Sequence, residues 1–141
     1  MNISRIIAVM LLGGMMYCRP VGAQSVAQCE LSITLPVDGA RVVPFSAVAG
    51  RISPSTAAMG GSNVWVIVHP TGSWYWVQTV THASAGEWRA NTQFGDSDTP
   101  PGLRFEVQAF VAPSIPIKGG DKLSSFPAAA CASNLIGVVR Q

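Results

Sequence analysis

The sequence predicts an all-β domain, an antiparallel β-sandwich of six or seven short strands. Three observations carry that reading. Apolar and polar residues alternate with a period of two in several segments, turn-forming residues recur at roughly every 8–12 positions, and the ten prolines are scattered where helices would need continuity.

The elements follow in order. Over residues 30–35, Leu31, Ile33 and Leu35 alternate with Glu30, Ser32 and Thr34, the pattern of a half-buried strand. Pro36, Asp38 and Gly39 then supply a turn, because Gly tolerates positive φ and Asp bonds the backbone just ahead. A second strand is expected over residues 41–49, stopping at Gly50. Residues 52–62, rich in Ser, Pro, Gly and Ala, read as loop. Residues 64–69 are nearly all apolar and β-branched, which predicts a strand buried on both faces or in the middle of a sheet. Residues 70–73 turn the chain into a hairpin partner at 74–78, which residues 79–80 can extend. A turn at 83–86 leads to a strand at 88–94, and the Gly-, Asp- and Pro-rich stretch 95–102 is loop. Residues 103–111 alternate again, with Leu103, Phe105, Val107 and Ala109 on one face. The tail, with Pro113, Pro116, Gly119 and Gly120, has room for a short hairpin before a last strand at 134–140.

The first 23 residues read as a targeting signal. Arg5 precedes a run, residues 6–17, that is apolar except for Gly13 and Gly14. A membrane-spanning helix needs about 20 apolar residues, so this shorter run fits a secretory signal peptide, with cleavage expected after Ala23. Cys18 raises lipidation as a competing possibility, but Met16 and Tyr17 stand where lipoproteins place small residues. The expected mature domain is residues 24–141, without a transmembrane segment. Arg5 and Arg19 leave with the signal and take the formal charge of +2 with them. A neutral chain without a basic run carries no electrostatic footprint for nucleic acid, and its apolar content excludes disorder.

Cys29 and Cys131 remain, and in an oxidising compartment an even pair without CxxC spacing reads as a disulfide. Two Cys and two separated His are too few for zinc, and Asp96 with Asp98 too few for calcium, so neither metal nor cofactor is expected. Cys29 precedes the first strand and Cys131 the last. A bridge between them therefore predicts that the first and last strands run parallel, because antiparallel neighbours would start about a strand length apart, roughly 17 Å.

The succession Leu35, Pro36, Asp38, Gly39; Val48, Gly50; Val64, Trp65, Val66, Ile67, Val68, His69, Pro70; Trp76, Gln78; Gly86, Glu87, Trp88; and Gly102, Phe105, Glu106, Val107 resembles a bacterial immunoglobulin-like domain of exported and envelope proteins. The likeness runs from Leu31 to Val111 and fades in the tail. It implies an immunoglobulin-like sandwich of about seven strands acting as a binding or spacer module, and it carries over no catalytic residue.

Candidate chemistry centres on the aromatics. Trp65 and Trp88 are expected to fill the space between sheets, as large aromatics usually do. Trp74 and Trp76 share one face of their strand and Tyr75 the other. An exposed Trp74–Trp76 pair would form a platform for sugar rings, with Gln78 or Asn63 bonding hydroxyls. His69 and His82 are the only histidines, and no nucleophile elbow accompanies them. The sequence thus predicts a non-enzymatic periplasmic or secreted interaction module. Its expected ligand is an envelope or extracellular protein, met for example by strand addition at an open sheet edge. The alternative is a glycan held on Trp74, Trp76, Tyr75 and Gln78.

Overall fold

A computed structural model describes residues 29–141. The expected signal segment and cleavage after Ala23, Cys18 and the first residues of the expected mature chain lie outside the described residues. In chain order the elements are β1 (Leu31–Leu35), β2 (Arg41–Val42), β3 (Phe45–Ile52), α1 (Pro54–Met59), β4 (Asn63–Pro70), β5 (Tyr75–Val77), β6 (Thr81–His82), β7 (Glu87–Gln93), β8 (Arg104–Pro113), β9 (Lys122–Leu123), β10 (Ala129–Ala132) and β11 (Ile136–Arg140). They build two sheets in a sandwich-like, all-β arrangement. The smaller sheet has the order β1-β3-β7; the larger has eight strands, with β2-β11-β8-β4-β5-β9 in line, β10 beside β8 and β6 beside β4.

The expected single strand at 41–49 is two strands in different sheets. Pro44 has no N–H for a ladder, and the chain crosses over at this point, leaving β2 parallel to β11 and β3 antiparallel between β1 and β7. The parallel partner of the last strand is accordingly β2, not the first strand, which lies in the other sheet. Cys29 and Cys131 are disulfide-bonded with Cα atoms 5.5 Å apart. The bridge joins the segment before β1 to β10, and so one sheet to the other.

The expected loop at 52–62 contains α1. Ser53 caps it with extended φ/ψ, its Oγ accepting from the Thr56 N–H, and Pro54 occupies the first turn, where a missing N–H costs nothing. Six residues are too few to show an apolar stripe, which is why periodicity misses the helix. Thr56 is buried, and its Oγ1 accepts from the Glu30 N–H, fastening the helix to the start of β1.

The main core lies between the sheets. Leu31, Ile33, Val48, Ile52, Trp88 and Ala90 of the smaller sheet meet Val64, Val66, Val68, Phe105, Val107, Val111 and Val138 of the larger. A second cluster, Ile67, Val77 and Phe110, lies on the outer face of the larger sheet under Ile117, Leu123 and Phe126 from the tail. β4 is therefore covered on both sides, as its unbroken apolar run predicts. Trp88 fills the space between sheets, whereas Trp65 packs with the outer cluster, because neighbouring β4 residues face opposite ways. Gly50 is where β3 passes closest to its neighbours: a Cβ there would overlap the Ser32 carbonyl and press on the Trp88 ring.

Two register slips re-aim side chains. Between Ile33 and Leu35 the β1–β3 ladder skips a residue, so Leu35 pairs with Ala49 on the outer face and is 52% exposed. Along β8 the pairing passes from Ala132 with Phe110 to Ile136 with Val107, one residue more on the outer chain than on β8. That extra residue turns the Asn134 amide onto β1, where its Oδ1 accepts from the Ile33 N–H at 2.9 Å and its Nδ2 donates to the Ile33 carbonyl at 3.4 Å.

Candidate functional site

The two faces of β5 meet different surroundings. Trp76 pairs with Val68, whose side chain enters the core between the sheets, and Val77 pairs with Ile67, which belongs to the outer cluster. The inner face of β5 therefore carries Trp76, with Trp74 and Gln78 at the same spacing of two. Neither β5 nor β9 contributes a residue to the main core, since the smaller sheet ends at β7. Trp74 and Trp76 are consequently 49% and 37% exposed.

A groove of about 750 Å³ opens beside Trp76. Trp76 and Gln78 form one side, Gln93, Asp96 and Thr99 the other, and Thr71 and Ser73 close one end. Hydroxyl, amide and carboxylate groups thus surround an indole. That is the composition of a site able to stack on an apolar ring face and exchange hydrogen bonds with its rim.

The groove walls are held by specific bonds. Gln78 is a tie rather than a free amide: its Oε1 accepts from the Gln93 N–H at 2.9 Å, joining the end of β5 to the end of β7. The 95–102 loop is fixed as an Asx-type turn, with the Asp96 Oδ1 accepting from the Asp98 N–H at 2.8 Å and the Thr99 Oγ1 accepting from the Asp96 N–H at 2.9 Å. Arg140, only 8% exposed, reaches behind that loop. Its guanidinium donates to the carbonyls of Phe94 and Asp96, each at 3.1 Å, and to that of Gln141 at 2.7 Å. Lys122 in β9 pairs with Trp76, and its Nζ lies 5.3 Å from the centre of the Trp74 ring.

Tyr75 faces away from the groove. It stacks on His69 with centroids 3.8 Å apart and planes 7° from parallel, and Phe126 meets it edge-on at 4.7 Å. His69 Nδ1 also lies 3.2 Å from Glu106 Oε1, so the partners of this imidazole are aromatic rings and a carboxylate. Asn63 stands at the opposite end of β4, paired with His82, and its buried Oδ1 has no hydrogen-bond partner among the described residues. Of the sequence-predicted residues the structure brings Trp76 and Gln78 together in the groove, sets Trp74 against Lys122, and separates Tyr75 and Asn63 from them.

Sequence reasoning missed Lys122 and Arg140. Lys122 lies in a two-residue strand too short for any periodicity, and only the Gly119–Gly120 turn ahead of it hints at a hairpin. Arg140 ends an otherwise apolar alternation, and its burial depends on carbonyls more than forty positions away in sequence.

The two edge strands of the smaller sheet are engaged at single points. Beyond the Asn134 contact on β1, the Arg89 carbonyl of β7 accepts from Thr81 Oγ1 and the Gln93 N–H is taken by Gln78. Among the described residues there is no group of three or more His, Cys, Asp or Glu side chains able to hold a metal ion, and no helix long and apolar enough to cross a membrane. The fold and groove together define a mostly-β protein of two sheets with an aromatic, polar-rimmed flank. No protein-family model, no curated protein and no solved structure matches the chain.

Proposed function

We propose that this chain is an exported, non-enzymatic binding module of immunoglobulin-like architecture, and that its ligand is a glycan received on the open flank of β5. The strand order supports the architecture. β1, β3 and β7 follow the A-B-E order of one immunoglobulin sheet, and β11, β8 and β4 the G-F-C order of the other, with β2 as a split first strand and β5 as an added C′. The disulfide departs from the antibody pattern, because it links the two ends of the domain instead of the second and sixth strands. A strand D beside β7 would stand in front of β5. Among the described residues only the two-residue β6 lies in that stretch of chain, and Trp76 is left uncovered.

The observation that carries the glycan reading is the exposure of Trp74 and Trp76 on one face, beside a groove rimmed by Thr71, Ser73, Gln93, Asp96 and Thr99. Export rests on the signal-like segment at 1–23. Tryptophan fluorescence titrated with a panel of soluble glycans tests the proposal. A saturable emission change that Trp76→Ala abolishes is the expected result; no change across the panel overturns it.

A second reading, recognition of a protein partner, rests on the outer face of the smaller sheet. Phe45 is 70% exposed there, in line with Ala47, Ala49 and the re-aimed Leu35. A pull-down from envelope extract that is lost in Phe45→Asp and kept in Trp76→Ala would favour this face.

A further inference from the structure

We infer that the glycan bears a carboxylate, and that Lys122 reads it. The inference rests on the glycan reading of the same flank and concerns what kind of sugar the flank selects. Lys122 is placed by the sheet. Its pairing with Trp76 puts it on the inner face of β9, and its ammonium lies over the Trp74 ring, so a positive charge stands on the same face as both indoles, against that of Trp74.

That charge has no carboxylate partner. The one contact of a basic side chain with a carboxylate within salt-bridge distance among the described residues is His69 with Glu106, on the opposite face of the sheet. The acidic groups near the flank are turned to holding loops. Asp96 Oδ1 accepts from the Asp98 N–H, and Asp121 Oδ2 accepts from the Lys118 N–H at 2.9 Å. The three ammonium donors of Lys122 meet a ring face and solvent. A ring face is a weak partner for an exposed ammonium, so an incoming carboxylate gains a charge-assisted hydrogen bond there without first displacing a strong one.

The two sides of the flank therefore differ in what they ask of a sugar. Thr99 Oγ1 and Gln93 Nε2 are spent on the 95–102 loop, and the second carboxylate oxygen of Asp96, outside the loop's hydrogen bonds, suits a hydroxyl group, while Lys122 at the Trp74 side suits an acid. A pyranose stacked on Trp76 would point its carboxylate toward β9 and its hydroxyls across the groove toward the 95–102 loop. Uronic acids carry such a group on the ring, and muramic acid carries one on a lactyl ether. The shared chemistry is a sugar ring with an anionic carboxylate.

The test is a titration of the full, disulfide-bonded chain, followed by calorimetry and tryptophan fluorescence. The probes are a galacturonate trisaccharide, its carboxyl-reduced neutral counterpart, and a disaccharide containing N-acetylmuramic acid. An acidic probe is expected to bind about ten-fold or more tightly than the neutral one, the scale of one charge-assisted contact, and to weaken as salt rises. Lys122→Met should bring the acidic probe down to the level of the neutral one with an unchanged melting temperature, and Lys122→Arg should restore the preference. Whichever acidic probe binds more tightly identifies the source of the carboxylate. Equal binding of acidic and neutral sugars, with both lost in Trp76→Ala, would overturn the inference and leave the glycan reading standing. A charge preference that survives Lys122→Met would also overturn it. Absence of binding by every probe, or binding indifferent to Trp76→Ala, would overturn both.

Discussion

Tyr75 and Trp76 are consecutive residues of one three-residue strand, yet one is partly covered and the other exposed. Tyr75 lies between His69 and Phe126 because residues of the tail fold back over the outer face of the larger sheet. Trp76 stands in a groove because the smaller sheet has three strands and does not reach β5. The larger aromatic is thus the more exposed one. What decides the environment of each side chain is the cover that other parts of the chain provide, and hydrophobicity follows only where cover exists.

Variants can break this contrast, and the largest expected effect lies away from both faces. Cys29→Ser/Cys131→Ser releases a link of 102 residues' separation and should lower stability by about 4–5 kcal/mol on the chain-entropy model. Urea melts of the oxidised and reduced protein measure this, and equal midpoints would refute it. The link constrains the unfolded chain, so Tyr75 and Trp76 fluorescence should lose their folded signals together.

The next pair addresses the contrast directly. Phe126→Ala removes the ring that covers Tyr75 and should cost about 2–3 kcal/mol, below the value for a fully enclosed Phe because Phe126 is itself partly exposed. Trp76→Ala removes a larger side chain but should cost about 1 kcal/mol or less in the same urea melts, with its effect appearing in ligand binding. A reversed order would mean that Trp76 supports the sandwich and that the groove is a packing defect. The smallest effect is expected from Glu106→Gln. Its carboxylate is about half exposed beside His69, so the pair should contribute under about 0.5 kcal/mol. A larger loss in thermal melts would show that the His69–Tyr75 stack depends on that carboxylate for its placement.

Much of the sheet framework was legible because it is written locally. The alternation at 30–35 and 103–111 appears as β1 and β8, the segment after the 83–86 turn as β7, and the apolar run at 64–69 as β4, covered on both faces. The turn at 83–86 forms a tight hairpin, with Ala85 and Gly86 both at positive φ and Ser84 and Glu87 exchanging backbone hydrogen bonds. What escaped was set by distance or by brevity. The crossing at Pro44 depends on which sheet each half of the segment joins, and α1 is one capped turn and a half. The site was half legible for the same reason. Period two separated Tyr75 from Trp74 and Trp76 without indicating which face the tail would cover. Gln78 was marked for its amide, but its oxygen is claimed by Gln93, a contact between the ends of two strands that no local pattern announces.

Asn134 has a consequence for how copies of this protein meet. Its side-chain amide presents to Ile33 the same donor and acceptor that a neighbouring peptide group would, so the outer rim of β1 behaves as though one more residue of strand were already there. A second chain approaching along that rim must first give up two hydrogen bonds, each worth about 1 kcal/mol. Molecules stapled by their own disulfide and stoppered at this rim are turned from backbone pairing along β1, which accepts any sequence, toward contacts through their faces, where charge and shape can discriminate.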